Sequence, residues 1–272
     1  MDRYAVIGNP IAHSKSPQIH TQFAAESSQQ LSYEALSAPL NSFELIVKRF
    51  HQAGGKGVNV TVPFKLNAYS CVDELSERAK RAGAVNTIAW DEQGISTGHN
   101  TDGIGLIRDL TVNHGINLAG KKILVLGAGG AVRGILSPLI EQQPAAIFIA
   151  NRTVEKAQQL ANDFSESSDF SEIAAGGFDD IQEFYDLIIN GTAAGLHNEI
   201  PSIPSFALAK KGCCYDLMYS NEATAFVRWG NYHGAAQALD GLGMLVEQAA
   251  ESFYIWRGVR PKTASVIQAL RP

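Results

Sequence analysis

Residues 122–134 read KILVLGAGGAVRG, an almost wholly apolar run followed at once by a glycine-rich segment. The run is typical of a parallel strand that is covered on both faces. The glycines allow a tight turn, and a helix starting near Ala131 would offer free N–H groups and its positive dipole end to a pyrophosphate. The strict GxGxxG spacing is not met, because Val132 stands at its third position. With its flanking strand and helix, the segment still predicts a dinucleotide site at Gly127, Ala128, Gly129, Gly130 and Ala131.

The end of the next predicted strand indicates which dinucleotide binds. Folds that bind NAD usually carry an acidic residue roughly 20 positions after the glycines, where it holds the ribose 2′-hydroxyl. This chain has Asn151, Arg152 and Thr153 there, with Lys156 one helical turn later and no acid. A guanidinium with hydroxyl and amide donors binds a 2′-phosphate that a carboxylate would repel. The alternative to phosphate binding is that Arg152 caps a helix or lies in solvent. Because no acidic residue is present at this strand end, we expect NADP and not NAD as the cofactor.

Strand-like and helical segments alternate along the whole chain, which predicts a largely parallel α/β fold. A break near residues 115–120 separates two such series. Helices are predicted over Ser16–Ser27 and Ser42–Gln52, after Pro63, from Asp102 to about His114, and over Leu242–Trp256. Strands are predicted at Tyr4–Gly8, Leu31–Ser37, Gly57–Thr61, Ala84–Trp90, Lys122–Leu126, Ala146–Ala150, Leu187–Asn190 and Cys213–Leu217. The polar stretch Asp163–Asp169 is predicted to be a surface loop.

Composition limits the classes of function. The chain has 272 residues, of which 45% are hydrophobic and 18% charged, so it has ample material for a core. A net charge of -5 argues against general affinity for nucleic acid. The three cysteines show neither a disulfide framework nor zinc-site spacing, so we expect reduced thiols and no metal. The sequence shows neither a signal-peptide pattern nor a membrane-spanning run, and we expect a cytoplasmic protein.

Four polar clusters occur in the first half of the chain, where packing gives no reason for them. Each follows or ends a predicted strand, on the side where open α/β sheets bind ligands. Their hydroxyls, amides, ammonium and carboxylate suit a ligand with several hydroxyls and a carboxylate. The clusters are His13–Pro17, Asn59–Lys65, Asn86–Thr87 and Asn100–Asp102.

Lys65 and Asp102 are the candidates for proton transfer. Hydride transfer to a ketone needs a proton donor at the oxygen where negative charge develops. Lys65 can supply the proton, and Asp102 can hold the ammonium in place. Simpler roles remain open, because a lysine in a first helical turn is usually solvated and Asp102 can serve as a helix cap. The sequence does not show that the two lie close together.

Seven motifs, in matching order over the whole length, resemble the shikimate dehydrogenase family. One alone is modest evidence, whereas seven in order are highly specific. They are Ser14-Lys-Ser-Pro17, Asn59-Val-Thr-Val-Pro-Phe-Lys65, Gly83-Ala-Val-Asn-Thr87, Gly98-His-Asn-Thr-Asp102, Gly127-Ala-Gly-Gly-Ala131, Asn151-Arg-Thr153 and Asp240-Gly-Leu-Gly-Met244.

The resemblance implies the reversible, NADPH-dependent reduction of 3-dehydroshikimate to shikimate, in the pathway to chorismate and the aromatic amino acids. Lys65 would be the catalytic acid–base and Asp102 its partner. Leu217 and Gly241 would join the cofactor site. The implied substrate contacts are Ser14, Ser16, Asn59, Thr61, Asn86, Tyr219 and Gln248.

The resemblance also implies two domains. An N-terminal α/β substrate domain of residues 1–102 would be completed by residues 240–272, because the C-terminal helices of the family return to it. Residues 103–239 would form a Rossmann-like NADP-binding domain. Partners would be the small-molecule substrate and cofactor, and the chain would be a monomer or a homodimer.

Three departures from the family pattern limit what is carried over. Residues 190–195 read NGTAAG, so no polar contact is expected from Ala193 or Ala194. Leu217 stands where methionine is frequent, and Lys156 where some members have a second arginine, which would weaken the hold on a 2′-phosphate.

Two rival functions remain open. A quinate/shikimate dehydrogenase, which often uses NAD, is disfavoured by Asn151-Arg152-Thr153. A catalytically inactive nucleotide-sensing module of the same fold is disfavoured by the presence of both Lys65 and Asp102.

Overall fold

The computed structural model describes residues 1–166, 170–194 and 199–271. The chain forms two compact units, one of Met1–Gly105 with Leu245–Pro272 and one of Leu106–Met244. Each contains a six-stranded sheet. The predicted two-domain α/β fold class is confirmed. The unit boundaries fall inside two helices, whereas the predicted boundaries fall at or before their first residues.

The sheet of the second unit is parallel throughout, with the order β12-β11-β10-β7-β8-β9. Its strands are β7 (Lys122–Leu126), β8 (Ala146–Ala150), β9 (Ile173–Gly176), β10 (Tyr185–Asn190), β11 (Leu208–Asp216) and β12 (Gln237–Leu239). The apolar run is its central strand β7, and residues 123–126 are fully buried. Because Leu126 pairs with both Ala150 and Asn190, the segments that follow these three strands leave the same sheet edge.

The sheet of the first unit is mixed, with the order β2-β1-β3-β5-β6-β4. Its strands are β1 (Asp2–Gly8), β2 (Leu31–Ser37), β3 (Gly55–Val60), β4 (Glu74–Leu75), β5 (Thr87–Trp90) and β6 (Ser96–His99). β1 is parallel to β2 and β3, whereas β5 is antiparallel to β3 and β6. Thr87, the first residue of β5, therefore pairs with Asn59 near the end of β3 and with His99 at the end of β6. This register gathers the polar clusters at one sheet edge.

Helices follow most of the strands. The helices over Ser16–Glu26, Phe43–Gln52, Val154–Glu166 and Ala225–Tyr232 each bury one apolar face, as the spacing of their buried residues shows. The helices are α1 (Ser16–Glu26), α2 (Phe43–Gln52), α3 (Lys65–Cys71), α4 (Glu77–Ala82), α5 (Asp102–Arg108), α6 (Gly130–Ile140), α7 (Val154–Glu166), α8 (Ala225–Tyr232), α9 (Leu242–Arg257) and α10 (Ala264–Leu270). None of the helices that the structure describes is long and apolar enough to cross a membrane.

Several predicted elements differ from the structure. The predicted loop at Asp163–Asp169 is wrong for Asp163–Glu166, which end α7, since Phe164 is buried in the core and Asp163 pairs with Arg133. Residues 167–169 lie outside the described residues. Pro63 does not open a helix, because a turn joining Phe64 N–H to Thr61 O delays α3 until Lys65.

One further strand boundary was predicted wrongly, and one predicted helix has the expected bounds but changes type along its length. Residues 84–86 precede β5 instead of belonging to it. The helix that starts at Asp102 is α-helical only to Arg108 and continues as a π-helix over Asp109–Asn113. The buried Asp109 lies in that segment and accepts a hydrogen bond from the Tyr215 hydroxyl at 2.6 Å, a tertiary contact that hydrophobic periodicity does not report.

Candidate active site

Lys65 and Asp102 form an ion pair in the first unit. Lys65 begins α3, which follows β3, and Asp102 begins α5, which follows β6. Lys65 Nζ lies 2.6 Å from Asp102 Oδ2. The lysine side chain is 32% exposed and the aspartate side chain 12% exposed. A charge-assisted bond of this length fixes the ammonium, while the remaining exposure leaves its other hydrogens accessible to a reacting group.

Asn86 holds the other carboxylate oxygen of the pair. Its Nδ2 donates to Asp102 Oδ1 at 2.8 Å and to Thr101 Oγ1 at 2.9 Å. Its Oδ1 accepts from the backbone N–H of Thr101 at 3.0 Å and from the Thr87 hydroxyl at 2.9 Å. Asn86 is only 3% exposed. The side chain therefore orients Asp102 from behind.

Asn59 is bound on all sides by the protein. The Tyr33 hydroxyl donates to Asn59 Oδ1 at 2.7 Å, and Asn59 Nδ2 lies within 3.0 Å of Thr87 Oγ1 and 2.9 Å of Ser252 Oγ. Nδ2 also lies 3.3 Å from the backbone oxygen of Asn86. The predicted contact of Asn59 with substrate stays a prediction, and the partners of Asn59 in the structure are groups of the protein itself.

Gln248 reaches the same cluster from α9. Its Oε1 lies 3.3 Å from Thr101 Oγ1 and 3.5 Å from Asn86 Nδ2, and its Nε2 donates to the backbone oxygen of Leu245. The C-terminal segment thus contributes to the cluster in the first unit. The structure therefore brings together Lys65, Asn86, Asp102, Asn59 and Gln248.

Ser14, Ser16 and Thr61 follow the two neighbouring parallel strands β1 and β3. The Ser16 backbone N–H donates to Ser14 Oγ at 3.3 Å, and the Thr61 backbone N–H donates to Ile7 O at 3.0 Å. Ser16 is buried, whereas Ser14 and Thr61 are half-buried. Their hydroxyls stay predicted ligands for the substrate, and the strand ends place them at one edge of the sheet.

His20 is a fully buried histidine beneath this edge. Its ring stacks on Tyr33 with centroids 4.2 Å apart, and neither ring nitrogen has a hydrogen-bond partner among the described residues. Burial lowers the pKa of His20 from its ordinary 6.5 to about 3, because the charged ring would lose its hydration. The imidazole is therefore neutral at physiological pH and supports Tyr33 by packing.

The glycine-rich turn of the second unit leaves space for a phosphate. Gly127 has φ +104, and a Cβ there would lie 3.0 Å from Gly191 O, so only glycine fits the turn. A Cβ at Gly129 or Gly130 would meet no atom within 4 Å. α6 starts at Gly130, and its first N–H groups have no acceptor within the helix. The residues fit a pyrophosphate at this place.

Arg152, Thr153 and Lys156 are exposed at the neighbouring strand end. Asn151 Nδ2 donates to Thr153 O at 2.8 Å and so shapes the turn after β8. Within residues 1–166, 170–194 and 199–271, neither Arg152 nor Lys156 takes part in an ion pair. Both cations are therefore available to an anion.

Leu217 and Gly241 lie together at the end of β11. A Cβ at Gly241 would come within 2.3 Å of Leu217 O, so the motif glycine is required by close backbone approach. The Leu217 N–H donates to Asn190 O at 2.9 Å, which ties the segment to the end of β10. Tyr219 is half-buried in the same unit, and burial raises its pKa. Gly195 of the divergent stretch lies outside the described residues.

Comparisons with known proteins agree along the chain. Residues 6–88 match the shikimate dehydrogenase substrate binding domain, residues 110–198 the shikimate / quinate 5-dehydrogenase family and residues 241–271 the shikimate 5′-dehydrogenase C-terminal domain. A shikimate dehydrogenase (NADP(+)) of Alkalilimnicola ehrlichii is 56% identical over 100% of this chain and 99% of its own. The chain belongs to the shikimate dehydrogenase family.

Two solved structures are similar to this chain over nearly its whole length. An Ael1 enzyme from Pseudomonas putida is 44% identical with a TM-score of 0.95, covering 100% of this chain and 99% of its own. A shikimate 5-dehydrogenase from Thermus thermophilus, solved with NADP(H) and shikimate, is 34% identical with a TM-score of 0.88, covering 99% of this chain and 98% of its own. The predicted membership of the shikimate dehydrogenase family is confirmed.

Sequence reasoning missed four polar residues around the candidate site of this family member. Thr87 and Thr101 belong to the polar clusters of the sequence but were assigned no role. Tyr33 and Ser252 were not identified from the sequence. Ser252 follows Gln248 by four positions, so both face the same way on α9. That spacing is the signal that would have found Ser252.

Proposed function

We propose that this chain reversibly reduces 3-dehydroshikimate to shikimate with NADPH, as an enzyme of aromatic amino-acid biosynthesis. The observation that carries the proposal is the partly exposed ion pair of Lys65 Nζ and Asp102 Oδ2, 2.6 Å apart. Family membership and the full-length relatives named for this activity support it.

Residues of the first unit transfer the proton of the proposed reaction. Lys65 Nζ donates a proton to the carbonyl oxygen while charge develops there, and takes it back in the oxidation of shikimate. Asp102, held by Asn86, keeps the ammonium aimed and stabilises its positive charge. NADPH supplies the hydride. The reduction therefore consumes one proton, which returns to Lys65 from solvent through its exposed side.

The remaining predicted substrate residues bind hydroxyls and the carboxylate in this proposal. Ser14, Ser16 and Thr61 offer hydroxyls at the ends of β1 and β3, and Gln248 offers an amide beside Asn86. Tyr219 belongs to the same predicted set, although it lies in the second unit. The predicted substrate contact of Asn59 belongs to the same proposal, and its carboxamide also holds Thr87 and Ser252.

The second unit is proposed to bind NADP. Its open glycines receive the pyrophosphate, and the exposed Arg152, Thr153 and Lys156 receive the 2′-phosphate. Leu217 and Gly241 would belong to the same cofactor site. We further propose that the protein is cytoplasmic and works on small molecules, as a monomer or a homodimer.

An activity matrix of two substrates and two cofactors tests the proposed function. We expect kcat/KM to be highest for shikimate with NADP, and at least about tenfold lower with NAD or with quinate. Absorbance of the reduced nicotinamide measures each rate. A preference for quinate or for NAD would favour a quinate/shikimate dehydrogenase instead, and no turnover by protein that binds both ligands would favour the sensing module.

A further inference from the structure

Two buried hydroxyl groups lie behind the candidate acid–base pair. Thr87 and Ser252 are both 0% exposed, and their oxygens are 2.8 Å apart. Thr87 begins β5, and Ser252 lies on α9 one turn after Gln248. Being sealed from solvent, these hydroxyls act only through the groups that they contact.

The carboxamide of Asn59 determines which way the two hydroxyls point. Its nitrogen is identified by the backbone oxygen of Asn86, an obligate acceptor 3.3 Å away. The same nitrogen lies 3.0 Å from Thr87 Oγ1 and 2.9 Å from Ser252 Oγ. The amide has two hydrogens for these three acceptors, and the two shorter contacts are those to the hydroxyl oxygens. Each hydroxyl oxygen therefore accepts an N–H and keeps its own hydrogen to donate onward.

The hydrogen of Thr87 is committed to Asn86. The backbone N–H of Thr101 donates to Asn86 Oδ1, so this atom must be the oxygen. Thr87 Oγ1 lies 2.9 Å from the same atom and must donate to it. A hydroxyl has one hydrogen, so a hydrogen between Thr87 and Ser252 can come only from Ser252, which shares it between Thr87 Oγ1 at 2.8 Å and the backbone oxygen of Gln248 at 3.1 Å.

One path of hydrogen bonds therefore runs from Ser252 to Thr87 and on to the carbonyl of Asn86, whose N–H donates to Asp102. Chains of buried hydrogen bonds polarise one another, so each bond strengthens the next. The Thr87 hydroxyl and the Thr101 backbone N–H are the two nearest donors to Asn86 Oδ1, with the Thr101 hydroxyl 3.2 Å away. They fix the plane of the carboxamide and hence the Nδ2 that holds Asp102 Oδ1.

We propose that Thr87 and Ser252 are positioning residues of the reaction, which hold Asn86 in the plane where it orients Asp102 against Lys65. The proposal rests on the proposed function, because it takes Lys65 and Asp102 as the groups that move the proton. Without the Thr87 hydroxyl, Asn86 Oδ1 loses its shortest hydrogen bond, the carboxamide turns more freely, and the Lys65 ammonium is less often aimed at the substrate.

A pair of variants at Thr87 tests the role of its hydroxyl. Thr87→Val keeps the shape and removes the hydroxyl, whereas Thr87→Ser keeps the hydroxyl. We expect Thr87→Val to lower kcat by about tenfold with KM for shikimate changed less than about threefold, and Thr87→Ser to recover most of kcat. Unchanged kcat in Thr87→Val, or equal losses in both variants, would overturn the proposal.

The double variant tests whether Ser252 acts through Thr87. Ser252→Ala alone should lower kcat about threefold, and it should lower kcat no further in the Thr87→Val background. Independent, multiplying effects would overturn the assigned order. Exchange of the Asn86 side-chain NH₂ protons, followed by NMR without substrate, should speed up in both single variants, and unchanged exchange would also contradict the proposal.

Ser96→Ala is the matched control. Ser96 is also a buried hydroxyl of the first unit, but it bonds Asp73 away from the site, with Ser96 Oγ 2.6 Å from Asp73 Oδ2. Its loss should lower the unfolding temperature and leave kcat unchanged, so a lower kcat here would assign the Thr87 effect to lost stability. A wild type that does not oxidise shikimate would refute the proposed function, whereas normal kcat in Thr87→Val of an active enzyme refutes the positioning role alone.

Discussion

The ammonium group of Lys65 is held firmly by an ion pair and is still accessible to a substrate. Asp102 fixes the ammonium at 2.6 Å, and the lysine side chain keeps 32% of its surface exposed. A partly buried ion pair of this kind contributes little to stability, because the desolvation of both charges offsets their attraction. Its geometry is therefore better explained by a role in proton transfer than by a role in holding the fold.

Lys65→Ala should lower kcat by about 10²- to 10⁴-fold, the usual loss on removal of a general acid–base, with a small effect on KM for shikimate. Steady-state oxidation of shikimate measures both constants. Lys56→Ala is the control, because Lys56 is an exposed lysine on β3 of the same unit and should leave both constants unchanged. A large rise in KM with kcat preserved would make Lys65 a binding residue.

The buried His20 makes the folding stability of the first unit depend on pH. Its folded-state pKa of about 3 lies below the ordinary 6.5, so between these values the unfolded chain binds one proton more than the folded chain. Folding stability from this group is complete above about pH 6.5 and falls as pH drops, by up to about 1.4 kcal/mol per pH unit.

His20→Phe should remove this component of the pH dependence, because phenylalanine can stack on Tyr33 and does not titrate. Urea unfolding between about pH 7 and pH 5 should show the variant gaining stability over the wild type as pH falls. A stability difference between His20→Phe and wild type that is constant over this range would contradict the prediction.

The turn between β7 and α6 separates two kinds of glycine. Gly127 is required by the backbone, since its φ is +104 and a side chain would press on Gly191 O. Gly129 has φ -88, and a Cβ at this position would meet no atom within 4 Å. The first glycine builds the turn, and the second leaves space that the proposed pyrophosphate would use.

Gly127→Ala and Gly129→Ala should therefore fail in different ways. Gly127→Ala should lower the free energy of unfolding by about 1–3 kcal/mol through strain. Gly129→Ala should leave stability within about 0.5 kcal/mol and raise KM for NADPH by about tenfold or more, because its methyl group blocks the phosphate. Chemical denaturation and steady-state kinetics measure these effects, and an unchanged KM for NADPH in Gly129→Ala would remove the pyrophosphate from this turn.

At the scale of the whole molecule, the chain builds two compact units with separate sheets, and one of them is discontinuous in sequence. Val246, Ala249, Ala250 and Phe253 of α9 are all 0% exposed, so the C-terminal segment is part of a core and not an appendage. The candidate proton-transfer residues lie in the first unit and the glycine-rich turn in the second.

Amide hydrogen exchange should show that the two ligands bind to different units. NADP alone should slow amide exchange at residues 127–132 and 151–156, whereas shikimate alone should slow it around residues 59–65 and 99–102, because each ligand stabilises the groups that it contacts. Mass spectrometry of peptides from each segment measures this. Protection by shikimate confined to the second unit would contradict the assignment of the substrate residues.

Much of the second unit followed from local sequence. β7 and β8 begin and end where predicted, because a central parallel strand is a short, continuous apolar run with clear ends. The strand β6 and the antiparallel placing of β5 were not predicted, since the direction of a strand in a sheet depends on its pairing partners. The end of α7 was predicted wrongly because the tertiary contacts of Phe164 and Asp163 outweigh local polarity.

The sequence by itself determined the α/β class, the glycine-rich turn, the basic strand end that favours NADP, and through its seven ordered motifs the family. These features are local, because a few adjacent residues carry each of them. Only the tertiary structure decided that Lys65 meets Asp102, and that Thr87 and Ser252, 165 positions apart, share a hydrogen bond behind them. Such contacts arise from the register of β3, β5 and β6 and from the return of α9, which no single stretch of sequence encodes.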